Sequence, residues 1–345
     1  MRRCYLSKHY KETASAGNKA KTDMEAIMER HGFINVGLPP SYSTNKLLGF
    51  FYTFFSVLKS FFSLHKGDIL LLQYPFKKYY TLVCRFAHWK GAKTITLIHD
   101  LGSFRRKKLT VEQEKKRLSN TDYIIALNAT MRSWLKEQGY TQEIGALQVW
   151  DYLSERRPKE SDLSPNPYQV VYAGGLSPRK NLFLYELEDI INGWHFSLHG
   201  NGFDSDRLKN KKNYTYNGYT PSEKLIETAE GDFGLVWDGD STERCSGAFG
   251  EYLQYNNPHK MSLYIRCHLP IIIWKKAALA TFVEEHNIGI CVNSLEELNQ
   301  ILPSMSLETY KQLKKNITTI SEKVAEGYYF MHAYKEAEQK IQSYV

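Results

Sequence analysis

The chain has 345 residues, 42% of them hydrophobic and 14% aromatic, enough length for two domains and enough apolar surface for a core in each, which excludes a disordered chain. Its 45 Lys and Arg stand against 37 Asp and Glu, and the net charge of +8 favours an anionic partner: a nucleotide, a pyrophosphate or an acidic membrane surface. Cys4, Cys84, Cys245, Cys267 and Cys291 are odd in number and form no C-x-x-C pair, so neither a disulfide framework nor a zinc site is indicated, and reduced thiols in the cytoplasm are expected.

The opening MRRCYLSKHYKE carries charge but no apolar stretch after it, so no secretory signal is expected. Strands are expected at Arg3 to Ser7, Phe33 to Leu38, Asp68 to Gln73, Thr94 to Leu101, Asp122 to Asn128 and Ala146 to Trp150. Helical patterns fall between them at Lys19 to Arg30, Tyr79 to Trp89, Val111 to Leu118 and Thr130 to Gln138. Ala16, Gly17, Asn18 and Lys19 open the first helix, a place suited to holding a phosphate or a sugar hydroxyl; a plain strand-to-helix turn is the alternative.

Leu47 to Leu64, LLGFFYTFFSVLKSFFSL, approaches the length of a short span but contains Lys59 and several Ser and Thr, so a spanning helix is not expected. The favoured reading is an aromatic helix packed in the core, or buried around Phe50 to Phe62 in a homo-oligomer contact; docking on a membrane surface is the alternative. The strand TITLIHD ends in His99 and Asp100 at a sheet edge, where Asp100, or failing it His99, is placed to act as a general base; a helix cap and a hydrogen-bonded core histidine are the bland readings. The run Arg105-Arg106-Lys107-Lys108 suits a lipid pyrophosphate or an anionic leaflet, or is a solvated face.

Ser154 to Pro167, SERRPKESDLSPNP, breaks the composition and divides the chain into a domain over 1–153, a linker over 154–167, a second domain over 168–326 and a last helix over 327–345. The second half repeats the alternation, with strands at Tyr168 to Ala173, Trp194 to His199, Tyr214 to Tyr219, Phe233 to Trp237, Pro270 to Trp274 and Ile288 to Val292. Two helices then fill Leu307 to Val345, separated near Gly327. Such alternation implies an α/β protein with two doubly wound parallel sheets facing each other across a cleft.

Two segments carry chemistry. Tyr168 to Ala173 breaks at Gly174-Gly175-Leu176-Ser177-Pro178-Arg179-Lys180-Asn181, and Asp232 to Trp237 breaks at Asp238-Gly239-Asp240-Ser241 and Ser246-Gly247 before a helix starts at Asn257-Pro258-His259-Lys260. Strand, glycine turn, basic residue and helix start converge backbone N–H groups and cations where a diphosphate sits, and both turns are expected at one edge of one sheet.

The run DGDSTERCSGAFGEYLQYNNPHKMSLYI, followed by LPIIIWKKAALATF, resembles the bacterial β-1,6-galactofuranosyltransferases of O-antigen and capsule synthesis, and more distantly the glucosyltransferase that extends the glycan of streptococcal serine-rich adhesins. SAGNKAKTD, LIHDL and YAGGLSPRK extend the likeness over most of the chain. It implies a GT-B fold of two Rossmann-like domains, the acceptor in the first and a UDP-sugar in the second, with a last helix that crosses back.

Under that resemblance the expected nucleotide-sugar contacts are Gly175, Arg179, Lys180, Tyr219, Asp238, Asp240, Ser246, Gly247, Asn257, His259 and Lys260, the cations meeting the charge that grows on a leaving UDP. Neither cofactor nor metal is expected, although Asp238-Gly239-Asp240 mimics a manganese-binding D-x-D. Inversion is the expected course, while Glu243 and Glu251 reproduce a spacing found in retaining enzymes. The expected acceptor is a lipid-linked glycan or a glycoprotein, with UDP-glucose onto protein-linked GlcNAc as the alternative reaction. Peripheral association with an anionic membrane is compatible with this, and no nucleic-acid partner is expected, because the basic residues do not gather with aromatics in a known module. A non-catalytic nucleotide- or nucleic-acid-binding protein and an inactive scaffold subunit of a glycosylation complex are the remaining rivals.

Overall fold

A computed structural model describes residues 1–7, 9–10, 16–76, 79–104, 108–159, 167–228 and 231–343, with only the backbone of Ala16 and Gly17. The chain forms two units: Met1–Asp151 with Gly327–Val345, and Tyr152–Glu326.

In the first unit the strands are β1 (Arg3–Tyr5), β2 (His9–Tyr10), β3 (Ile34–Asn35), β4 (Ser41–Tyr42), β5 (Ile69–Tyr74), β6 (Lys93–Ile98), β7 (Tyr123–Ala126) and β8 (Glu143–Ala146). Six make a parallel sheet in the order β3-β1-β5-β6-β7-β8, and β2 pairs with β4 apart from it. Every residue of β5 and β7 is buried, because helices cover both faces of a parallel sheet and its central strands read as continuous apolar runs.

The second unit contains β9 (Tyr168–Ala173), β10 (Trp194–His199), β11 (Tyr214–Tyr216), β12 (Phe233–Val236), β13 (Ile271–Trp274) and β14 (Gly289–Val292), all parallel in the order β11-β10-β9-β12-β13-β14. The order reverses between β9 and β12, the topological switch point of a doubly wound sheet.

Some elements differ from the sequence expectation for local reasons. The strand expected over Ala146 to Trp150 lies at Glu143–Ala146 instead, and Gln148 at φ 78 turns the chain out of the ladder. The one expected over Tyr214 to Tyr219 stops at Tyr216, ahead of the left-handed Gly218. The aromatic helix forms at Lys46–Ser63, capped by the Asn45 side chain, but it is not a core helix: Gly49, Ser56, Val57 and Ser60 face inward and most of its phenylalanines are exposed. Among the described residues no helix is long and apolar enough to cross a membrane.

The last helix, Tyr328–Gln342, follows the left-handed Gly327 and packs on the first unit. Two polar contacts among those of the described residues fix its position. Arg3 Nε and Nη2 donate to the two carboxylate oxygens of Glu338 at 2.8 and 2.7 Å. Asp151, fully buried, accepts from the backbone N–H groups of Tyr329 and Phe330 at 3.2 and 2.7 Å and so caps the helix.

Burial pushes the Asp151 carboxyl up to about 7, aided by Asp23 and opposed by those two N–H donors. A carboxyl that holds its proton more tightly when folded contributes less stability as pH rises from the usual carboxylate range to its folded value. Thermal melts of wild type and Asp151→Asn should therefore diverge in the variant's favour from about pH 5 to about pH 7, then run parallel. A difference independent of pH would show that Asp151 is ionised throughout.

Candidate functional site

At the switch point β9 and β12 pair directly, Phe233 with Val170 and Gly234 with Val171, and the loops leaving their C-terminal ends border the crevice where open α/β sheets bind ligands. Backbone bonds tie the loops after β9, β10 and β11 together: Gly174 N–H to His199 O at 2.9 Å, Leu176 N–H to Asn201 O at 2.9 Å, and Gly200 N–H to Gly218 O at 2.8 Å. Gly200 sits at φ 154, and a Cβ there would lie 1.8 Å from Gly174 O, so this edge closes only around a residue without a side chain.

Asn181 fastens the two glycine-broken turns to each other. It is buried, its Nδ2 donates to Gly175 O at 2.6 Å, and its Oδ1 accepts from Gly239 N–H at 3.4 Å. Gly239 holds φ 120, with Ser246 O only 2.3 Å from where a Cβ would stand. Across the same turn the Ser246 hydroxyl donates to Asp240, and Gly247 begins the next helical turn at φ 70.

Under these turns lies a cluster of charge. The Tyr172 hydroxyl donates to Asp238 Oδ1 at 2.8 Å, and Lys260 Nζ donates to the same oxygen at 2.8 Å, to Tyr172 Oη at 2.8 Å and to Trp237 O at 3.3 Å. An ammonium has three N–H donors, and Lys260 directs them to three protein acceptors. Lys180 Nζ approaches Asp238 Oδ1 at 3.5 Å, and its side chain is 30% exposed against 11% for both Lys260 and Asp238.

Burial raises the Asp238 carboxyl, but the charges of Lys260 and Lys180 and the hydrogen bonds from Lys260 and Tyr172 more than offset it and hold the group below its usual value. Burial pulls Lys260 down to about 8 despite the Asp238 charge beside it. Two ammonium groups thus share one carboxylate, leaving a net positive charge whose open side is Lys180.

The remaining expected contacts spread around this centre. Gly175 lies in the first turn; Arg179 beside it is exposed. Asn257 is buried, Pro258 precedes the helix His259–Arg266, and the His259 ring stacks on Tyr152 at 4.8 Å. Tyr219 is exposed on the loop after β11, while Tyr214 is consumed in packing and donates to Leu184 O at 3.0 Å. Tyr172, Asn181 and Gly200 escaped the sequence reading. Tyr172 looks like any aromatic on a buried strand, and only the short spacing from Gly174-Gly175 hinted at Asn181.

In the first unit, His99 follows β6, stacks on Trp150 at 4.5 Å, and meets Gln73 Oε1 through Nε2 at 2.7 Å. Gln73 Nε2 donates to Lys21 O at 3.2 Å, which orients the amide so that His99 carries its proton on Nε2. Asp100 comes next, half-buried. At the start of helix Ala16–Arg30, Lys19 Nζ pairs with Asp23 at 2.8 Å, and Asn18 is half-buried. The side chains of Ala16 and Gly17, and residues Arg105, Arg106 and Lys107, lie outside the described residues.

Two parallel sheets of this kind, one bearing a glycine-laced cationic crevice at its switch point, define a GT-B glycosyltransferase fold. Solved structures share it: Anabaena HepE in complex with UDP-glucose has a TM-score of 0.61 at 13% identity over 98% of this chain and 100% of that one. The apo lipopolysaccharide outer core galactosyltransferase WaaB has a TM-score of 0.61 at 14% identity over the full length of both.

Sequence places the chain more narrowly. The N-terminal domain of the glucosyltransferase 3-like family matches residues 3–149 and its C-terminal domain residues 170–337. The β-1,6-galactofuranosyltransferase WbbI of Escherichia coli is 36% identical over 79% of this chain and 80% of its own length. Glucosyltransferase 3 of Streptococcus gordonii is 26% identical over 69% of this chain and 68% of its own. The chain belongs to the glucosyltransferase 3-like family and is a glycosyltransferase.

Lys260→Met strips the buried Asp238 of its nearest counter-charge and should cost about 3–5 kcal/mol, the range for breaking a buried pair from one side. Lys180→Met, at a part-exposed cation, should cost under about 1 kcal/mol. Urea unfolding of both variants measures this, and equal losses would contradict the division between a buried support and an open cation.

Proposed function

We propose that this glycosyltransferase takes galactofuranose from UDP-galactofuranose and transfers it, with inversion, to a glycan acceptor of surface polysaccharide synthesis. The observation that carries the donor assignment is the Lys180–Asp238–Lys260 cluster beneath two glycine-broken turns at the switch point of the second sheet. The galactofuranosyl choice rests on the stronger likeness to WbbI, 36% against 26% for glucosyltransferase 3. UDP-glucose delivered to a GlcNAc-bearing glycoprotein is the second reading, its glucosyl group favoured by the family's description as glucosyltransferase 3-like.

In the proposed reaction the acceptor oxygen attacks the anomeric carbon as the bond from that carbon to the β-phosphate oxygen breaks. The electron pair leaves with UDP, and the acceptor proton passes to a base. Lys180 meets the charge developing on the diphosphate, with backbone N–H groups of the glycine turns beside it. Lys260 and Asp238 fix the floor on which Lys180 stands. Asp100 is the proposed base. A divalent ion at Asp238 would have to displace Lys260 and Tyr172 from that carboxylate, and one at Asp240 the Ser246 hydroxyl, so the transfer is proposed to run without metal.

Incubating the protein in EDTA with a panel of UDP-sugars and short sugar acceptors, then weighing the products, should give a mass gain of one hexose from UDP-galactofuranose. Transfer from UDP-glucose alone would decide for the second reading, and restoration by manganese of an activity lost in EDTA would overturn the metal-free one. In a separate titration with UDP, Lys180→Met should weaken binding by about 10- to 100-fold, the loss expected for one hydrogen bond to a charged group.

Asp100→Asn should bind UDP as wild type does while kcat falls by about 100-fold or more, the usual contribution of a general base. A variant that retains wild-type turnover would remove Asp100 from the reaction and leave His99 as the candidate.

A further inference from the structure

Helix Lys46–Ser63 is amphipathic in the reverse sense. Its inward face is small: a Cβ on Gly49 would stand 2.5 Å from the His9 ring, and a Cβ on Gly37 would stand 2.3 Å from Ser56 Oγ, so the helix presses close to its neighbours through Gly49, Ser56 and Ser60. The outward face carries Leu47, Phe51, Phe54, Phe55, Leu58 and Phe62, all exposed, Phe62 by 73%. Their spacing of three and four residues gathers them on one side of a helix of about 3.6 residues per turn, a continuous apolar stripe about 23 Å long. The adjoining helix Tyr80–Trp89 extends it with Trp89, 74% exposed, and packs Phe86 on Phe61 at 4.9 Å.

The charge on these two helices has one sign. Neither helix contains an acidic residue, and Lys46, Lys59 and Arg85 are exposed on them, with Lys66 just beyond. Between His31 and Val111 the acidic residues are Asp68 and Asp100 alone, and Asp68 is buried against Arg2. A second copy of this chain, docking isologously, would bring these cations against their own images. An anionic bilayer answers both features, taking phenylalanines and a tryptophan at the acyl boundary and lysines at the headgroups.

We propose that this face docks the protein on an anionic lipid surface, with helix Lys46–Ser63 lying in the plane of the interface. The proposal is independent of the donor site. Full-length protein should sediment with phosphatidylglycerol-containing vesicles and not with pure phosphatidylcholine, and high salt should release it. Such vesicles hold no glycan acceptor, so binding reports the surface alone.

The triple variant Phe51→Ser, Phe55→Ser, Phe62→Ser and the double variant Lys59→Glu, Lys66→Glu should each lose about tenfold or more in vesicle partitioning while UDP binding is unchanged. The charge variant keeps the test alive if the triple variant fails to fold. Wild type that ignores both vesicles, or binds them equally, overturns the proposal. So does a triple variant that falls from dimer to monomer in sedimentation velocity with vesicle binding intact, which would assign the stripe to a second copy.

Discussion

A buried carboxylate costs several kcal/mol unless its charge is met, and Asp238 is met from two sides. Lys260 and Tyr172 reach it from beneath and Lys180 from the open side, so the loop just past β12, the end of β9 and the start of helix His259–Arg266 are tied through one oxygen atom. The glycine turns above are positioned by this contact and by Asn181, which needs Gly239 and Gly175 at fixed distances to satisfy its amide. With two cations to one anion, the Lys180–Asp238–Lys260 cluster keeps a net positive charge after its own pairing is complete. That surplus is what supports the proposed diphosphate site, where an equal pairing would read as an ordinary core ion pair.

Much of this edge was legible in the sequence because strand ends announce themselves. YQVVYA and DFGLVW are apolar runs that stop at glycines, and two parallel strands of one sheet deliver their following loops to the same side. What the sequence could not show is which lysine spends its donors. Lys260 stands in the first turn of a helix, where exposure to a ligand is the natural reading, yet its four-carbon stem lets the ammonium fold under the loop and find Asp238, Tyr172 and Trp237 O. Lys180 looked equivalent and remains part-exposed. Acceptors on two separate segments, Tyr172 and Trp237–Asp238, make that distinction, and their positions are a property of the folded chain alone.

The same limit governs the first unit. LIHD marks a strand ending in two polar residues, and the strand is there, but the partners of His99 come from elsewhere: Gln73 from the end of β5 and Trp150 from beyond β8. A glutamine on an apolar strand gives no sign that its amide, pinned by the Lys21 carbonyl, sets the tautomer of a histidine one strand over. The break before the last helix was more readable, since Gly327 supplies a left-handed turn there, whereas its return to the first unit followed only from the family resemblance. Asp151 as the cap of that helix was not, because its two N–H partners lie far along the chain.

Helix Lys46–Ser63 shows how periodicity can be right and burial wrong. The apolar spacing correctly gives a helix, and hydrophobicity as a driving force then argues that the aromatic side goes inward. Two details argue otherwise. Gly49, Ser56 and Ser60 recur at helical spacing, and a stripe of small residues lets a helix approach its neighbours more closely than phenylalanine could. A sheet covered at short range by small side chains leaves no room for the aromatics on the same face, so they turn outward, where a monomer in water retains no benefit from them. The cost of that exposure is the reason to look for a covering partner, and the cations along the stripe make an anionic one the best match.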